Sequence, residues 1–332
     1  MKKWLAWLLC LALMLGSTGC AAQKAAVSAS APSDLYVIGY CQTGAESDWR
    51  VANTDSMRNV FTEENGYELI FVDAQQKQEN QIRAVRNFIQ QQVDCIIISP
   101  ITESGWDEVL QEARDAGIPV IITDRMVQVS EDGLYAAYVG SDFRAEGDTA
   151  ASWLDAWLQS SGRGSDTIHI VELQGTLDSS AQLGRSEGLA AGIAAHPNWV
   201  LEAQECADFT NAKANEVMTQ LIARHVQMDV LVCQNDDMAM GAMAAMDAAG
   251  MVYGAAGGPI VISFDATHAG LEACLAGKIQ LDVECNPLQG PYVEKIVQQI
   301  KNGETPPKRT SVEETSFEAD TLTQNAIDAR SY

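Results

Sequence analysis

From Leu35 onward the chain alternates short β-branched apolar runs with longer amphipathic stretches. The first series of runs is "LYVIGY" (35–40), "ELIFVD" (68–73), "CIIISP" (95–100), "PVIITD" (119–124) and "YAAYVG" (135–140). A second follows, "TIHIVEL" (167–173), "VLEAQECA" (200–207), "VLVCQN" (230–235), "IVISFD" (260–265) and "IQLDVEC" (279–285). Between them lie helical patterns such as "QENQIRAVRNFIQQQ", where Ile82, Val85, Phe88 and Ile89 share one face at a spacing of three and four. Runs that stay apolar instead of alternating predict strands buried on both faces, as in parallel sheets covered by helices. Two such series predict an α/β protein with two doubly wound parallel-sheet lobes.

The N-terminal segment reads differently. "MKKWLAWLLCLALMLGSTGC" places two lysines before an apolar run too short to span a bilayer comfortably, then small residues ending at Cys20. These are the features of a secretory signal over residues 1–19. Its closing "STGC" resembles the lipobox of bacterial lipoproteins, which makes Cys20 the first mature residue and a lipid anchor. Residues 20–34 are small, polar and aperiodic, the composition of a flexible tether. The expected localisation is export, with lipid anchoring at the outer face of a bacterial membrane.

Charge and cysteine content narrow the partners. The full chain carries −24, and removal of Lys2 and Lys3 with the signal gives −26. So acidic a surface repels nucleic acid and anionic membranes. Of the eight cysteines, Cys10 leaves with the signal and Cys20 anchors. The other six are too sparse for a disulfide scaffold and form no C-x-x-C pair. Cys95 and Cys233 sit in apolar runs, as buried free thiols do. Pairing among Cys41, Cys206, Cys274 and Cys285 stays open at this point. The four histidines lack metal-ligand spacing and no glycine-rich phosphate loop follows a strand, so no metal and no cofactor is expected.

In open parallel sheets, ligands bind beyond the carboxyl ends of the strands. The residues found there are Glu46 to Arg50, Ser99, Asp124 with Arg125, Gln174 to Arg185, Phe209, Asn235 to Asp237, and Asp265. Most are polar, charged or aromatic although each follows an apolar run. Such a set suits a neutral sugar: an aromatic plate covers its apolar face, carboxylates accept from its hydroxyls and guanidinium groups donate to them. Each residue also has a plainer reading. Trp49 fits core packing, Asp124–Arg125 a surface turn with an ion pair, Asp265 a cap for the helix near His268, and Asp236 or Asp237 a cap for "MAMGAMAAMDAAG".

The stretches "GAESDWR", "DAQQKQENQIRAVRNFIQQQVDCIIISP", "GWDEVLQEARDAGIPVIITDR", "VELQGT", "ADFT" and "QNDDMAMGA" resemble the ribose/galactose branch of the type I periplasmic sugar-binding proteins. Within that branch the likeness is greatest to the galactofuranose-binding components of sugar ABC importers, and it covers Leu35 to about Asn302. The resemblance implies a three-segment hinge between an N-terminal lobe (35–141 plus 287–312) and a C-terminal lobe (142–286 plus 313–332). The chain would cross near Gly140–Asp142, Glu284–Pro287 and Ser311–Phe317. It further implies that Trp49 and Phe209 sandwich the sugar ring, with Arg50, Asp124, Arg125, Arg185, Asn235 and Asp265 bonding its hydroxyls. Arg50 stands where ribose binders carry an aromatic residue, as in the galactofuranose type. Glu46, Ser47, Ser99 and Asn286 are secondary candidates. Cys285 stands where ribose binders place an amide, and Asp178 departs from the small residue expected there; it adds or blocks a hydroxyl contact.

The implied activity is capture of a monosaccharide by a monomer that then docks on an ABC transporter permease. A sugar-sensing subunit docking on a chemoreceptor or histidine kinase would present the same ligand site. A third reading, a hydrolase using Ser186, rests on "GRSEG" (184–188), which matches a nucleophile elbow but begins ten residues after its strand. A non-enzymatic role is therefore expected.

Overall fold

The structure, a computed structural model, describes residues 35–332. The signal, the tether and Cys20 lie outside the described residues. Twelve strands form two six-stranded sheets: β1 Tyr36–Gln42, β2 Tyr67–Asp73, β3 Cys95–Ile98, β4 Val120–Thr123, β5 Ala137–Gly140, β6 Ile168–Gln174, β7 Trp199–Cys206, β8 Val230–Cys233, β9 Ile260–Asp265, β10 Leu281–Glu284, β11 Arg309–Ser311 and β12 Ser316–Glu318. The first sheet runs β11-β5-β4-β3-β1-β2 and the second β12-β10-β9-β8-β6-β7. Every pairing in the first sheet is parallel. In the second sheet only β12 is antiparallel, against β10.

Burial follows the apolar patterning. β3, β4, β5, β8, β9 and β10 are buried at every residue. The edge strands β2 and β7 are half exposed, and Val200 and Leu201 of β7 face solvent. Helices cover both faces of each sheet. The helix Gln78–Gln91 packs Val85 and Phe88 under the first sheet, with Ile82 and Ile89 partly buried beside them. Its approach depends on Gly39 in β1, where a Cβ would lie 2.6 Å from the Phe88 ring.

The chain passes between the sheets three times: after β5, after β10, and between β11 and β12. After β10 the helix Gly290–Lys301 packs Val293, Ile296 and Val297 against Ile38, Tyr40 and Val139 of the first lobe. After β12, Ile327 packs with Ala266 and Leu271 of the second lobe. Both sheets point the carboxyl ends of their parallel strands at the intervening cleft, whose walls are described below.

Several local expectations are corrected. Neither Asp236 nor Asp237 caps the helix Asp236–Ala248; Asn235 does, its side chain accepting from Met238 N at 2.9 Å. Thr267, not Asp265, caps the helix beginning at His268. Asp124 and Arg125 are buried instead of forming a surface turn. Ser186 lies inside the helix Ser180–Ala195 with its hydroxyl donating to Glu172 at 2.9 Å, so it is no nucleophile elbow. The six described cysteines are all free thiols.

Candidate functional site

Between the lobes lies a small cavity lined by Glu46, Ser47, Trp49, Arg50, Asp124 and Arg125 of the first lobe, and by Phe143, Ala181, Arg185, Phe209, Asn235 and Asp265 of the second. Cys285, at the second crossing, completes the wall.

The first-lobe wall is organised by one helix start. Ser47 caps the helix Asp48–Val60, its Oγ accepting from Arg50 N at 3.1 Å. The cap sets Trp49 and Arg50 in the first turn, directly over the end of β1. Arg50 is 3 % exposed and is bonded through Nη1 and Nε. Its Nη1 donates to Asp124 Oδ2 at 2.6 Å, Ser99 Oγ at 3.1 Å and Gln42 Oε1 at 3.2 Å, and its Nε donates to Glu46 Oε1 at 3.0 Å. Asp124 turns out of β4 in the left-handed region (φ 60°) and is held there because its carbonyl accepts from the Tyr138 hydroxyl at 2.7 Å.

Arg125 differs from Arg50. Among the described residues its side chain makes one hydrogen bond, from Nη1 to Ile101 O at 3.3 Å, and its Nη2 lies 3.7 Å from Glu46 Oε1. Burial, then the neighbouring Arg50, lowers its pKa to about 10. Glu46 Oε2 is likewise buried without a partner. An under-used donor group and an orphaned acceptor therefore stand beside each other on this wall, and buried polar groups in that state cost free energy until something bonds them.

On the second-lobe wall, Arg185 Nε donates to Glu146 Oε2 at 2.6 Å and Nη2 reaches Asp265 Oδ1 at 3.5 Å; Nη1 donates to the Gln234 carbonyl. The guanidinium lies between the Phe143 and Phe264 rings. Burial raises the Asp265 carboxyl well above the usual carboxylate range, although Arg185 opposes the shift. Asn235 Nδ2 donates to Phe209 O at 3.2 Å. Phe209 and the preceding Asp208 are both left-handed (φ 59° and 55°), a turn that swings the ring back over Gly175. The Arg125 guanidinium sits 5.1 Å from the Phe209 ring centroid, joining the two walls. Trp49 does so too, since its Nε1 donates to Cys285 O at 2.5 Å.

All eight principal candidates therefore line one cavity, with Glu46 and Ser47 from the secondary group. The other secondary candidates lie elsewhere. Ser99 stands behind the wall, accepting from Arg50 and donating to Asp124. Asp178 is on the rim, where its carbonyl accepts from Glu103 N of the facing lobe at 2.9 Å. Asn286 is bonded at the second crossing to Glu313 and Glu314. Sequence reasoning did not select Phe143, Ala181 or the supporting Glu146; Phe143 follows β5 by three residues, a strand-end position that the chain's crossing to the other lobe disguised. In the sequence Cys285 stands out as a candidate disulfide partner and a departure from the ribose-binder pattern, not as a wall residue.

Two doubly wound lobes, three crossings and a buried polar cavity between strand ends define a two-lobed solute-binding protein. The chain belongs to the periplasmic binding protein family, whose domain description, "Periplasmic binding protein domain", matches residues 38–305. It is 35 % identical over 304 residues to the galactofuranose-binding protein YtfQ of Escherichia coli K12, covering 90 % of this chain and 93 % of the relative. Among solved structures it is similar to a Mycobacterium smegmatis protein in complex with β-D-fucofuranose (TM-score 0.81, 40 % identity, 86 % of this chain and 91 % of that one). It is also similar to the binding component of an arabinose ABC transporter from Shewanella sp. ANA-3 bound to α- and β-L-arabinofuranose (TM-score 0.78, 34 % identity, 89 % and 99 %). The fold is that of the type I periplasmic binding proteins, a family of solute binders and not enzymes.

Proposed function

We propose that this protein captures a monosaccharide of the galactofuranose type between its lobes and delivers it to an ABC transporter permease. The observation that carries the reading is the lining of the cavity itself: aromatic rings from opposite lobes and a rim of carboxylates and guanidinium groups. In this reading Trp49 and Phe209 cover the sugar's apolar faces. Arg50, Asp124, Arg125, Arg185, Asn235 and Asp265 bond its hydroxyls, and a hydroxyl between Glu46 Oε2 and Arg125 donates to the first and accepts from the second. The similarity to three furanose binders supports the furanose ring form.

Hydrogen bonds to charged groups contribute about 1.5 to 3 kcal/mol each. Micromolar binding requires about 8 kcal/mol in total. A few such bonds with ring stacking suffice after the ordering cost. A sugar that touches both lobes binds the closed form more tightly and shifts the hinge equilibrium toward it, the crossings confining the motion to a hinge. The lobes in this reading divide at 35–141 plus 287–312 and 142–286 plus 313–332, and Cys20 carries lipid that holds the protein at the membrane.

Calorimetry with galactofuranose, arabinose, galactose and ribose tests the site. At least one should bind at micromolar concentration, and Asp124→Ala should weaken it at least about tenfold, some 1.4 kcal/mol. No binding by any of the four, or unchanged affinity in the variant, would refute the assignment. Anchoring is read separately, from loss of the protein from the membrane fraction in Cys20→Ser.

A further inference from the structure

Three ionisable side chains meet at the hinge, one from each passage of the chain between the lobes. Glu146 is in the first turn of the helix Phe143–Ser160, Cys285 follows β10, and Glu314 lies between β11 and β12. One carboxylate oxygen of each glutamate and the Cys285 sulfur lie within 4.8 Å of one another. Glu146 is 4 % exposed and Cys285 2 % exposed. Glu146 gives Oε2 to Arg185, while its Oε1 is buried with no partner. Ser141 Oγ lies 3.4 Å from Cys285 Sγ and donates to Glu314 Oε1, which also accepts from Asn286 N at 2.9 Å.

We propose that Glu146, Cys285 and Glu314 form a binding site for one zinc-like divalent cation that ties the three hinge passages together. A thiolate with two carboxylates is a zinc donor set, whereas magnesium and calcium require shells built wholly of oxygen. Zinc bonds of about 2.0 to 2.3 Å put tetrahedral ligands roughly 3.5 Å apart. The three groups need to draw together by little more than an ångström, and the Ser141 hydroxyl or water takes the fourth position. The orphaned Glu146 oxygen is the atom a cation would engage. The Arg185 bond to the other oxygen then acts as the outer-shell contact that orients a ligating carboxylate. All three ligands fall on the second-lobe side of the division given above, so an occupied site fastens the second-lobe ends of the three passages to one another whatever solute the cleft takes.

The test is calorimetric titration of chelator-treated full-length protein with Zn²⁺, with Co²⁺ as an optical probe of thiolate ligation. Expected are one equivalent of Zn²⁺, a rise in melting temperature, a thiolate-to-cobalt absorption band, and no response to Mg²⁺. Cys285→Ser and Glu314→Gln should each weaken Zn²⁺ binding at least tenfold and remove the melting shift, while Cys206→Ser, at a partly exposed thiol elsewhere, should leave both intact. Glu314 is only partly buried, so its variant keeps the test open if Cys285→Ser fails to fold. Absence of saturable Zn²⁺ binding, or binding that persists undiminished in Glu314→Gln, would overturn the proposal. Sugar affinity is not read in this experiment, so its outcome is independent of the proposed cleft ligand.

Discussion

Replacing Gly175 by alanine perturbs the cleft without touching any hydrogen-bonding side chain. A Cβ at this position would sit 1.9 Å from Phe209 Cζ, 2.1 Å from Cε2 and 2.3 Å from Cε1. Ordinary van der Waals contact begins near 3.4 Å, so ring or strand must yield by at least about 1.5 Å. The strand is the stiffer partner, because β6 is paired on both sides, with β7 and β8. The ring therefore turns into the cavity, toward Arg125. Overpacking of this size costs typically about 1 to 3 kcal/mol. Sugar binding should suffer more than folding, since the displaced ring moves into the cavity it lines. Calorimetry should show affinity reduced at least about tenfold, or 1.4 kcal/mol, with the melting transition still cooperative. The double variant Gly175→Ala/Phe209→Ala isolates the cause. If displacement of the ring is responsible, the double variant binds no worse than Phe209→Ala alone. Wild-type affinity in Gly175→Ala, or an added loss in the double variant, would refute the reasoning.

Two further outcomes follow from the electrostatics. Arg185→Met leaves Glu146 and Asp265 buried without their cation, and breaking a buried ion pair from one side costs about 3 to 5 kcal/mol. Adding Glu146→Gln should recover a substantial part of that in chemical denaturation, and a double variant no more stable than Arg185→Met would contradict the pairing. Asp237 accepts from Asp48 N of the facing lobe at 3.1 Å, and burial, with Asp48, Asp236 and Glu46 close by, pushes its carboxyl up to about 6. A carboxyl raised in the closed protein stabilises that form most in acid, and the contribution is lost as pH rises through about 6. Affinity should fall between about pH 4 and 6 more steeply in the wild type than in Asp237→Asn; parallel profiles would remove Asp237 from the closing equilibrium.

The fold was legible because its strands are apolar on both faces, a pattern few other architectures produce. The ten strand runs of the two series each overlap an observed strand. Most of the cavity wall was legible by the same logic, since Trp49, Asp124, Phe209, Asn235 and Asp265 lie at or just past strand ends. What failed did so for local reasons. The helix after β8 begins two residues earlier than its apolar stripe suggests, so the cap falls to Asn235 and not to the aspartates after it. Asp178 and Asn286 sit on loops whose direction depends on turns that residue type does not announce; Asp178 itself is left-handed at φ 64°. Phe143 and Cys285 belong to crossings, where being near a strand end does not say which lobe a side chain will face.

The threefold crossing bears on how such a chain matures. Although the first lobe opens the described sequence, its sheet gains β11 only at Arg309–Ser311, and its helix Gly290–Lys301 arrives after nearly the whole second lobe has been made. Domains otherwise tend to fold in order of synthesis. Here a nascent chain holds two unfinished cores, and neither can close until its last segments have been made.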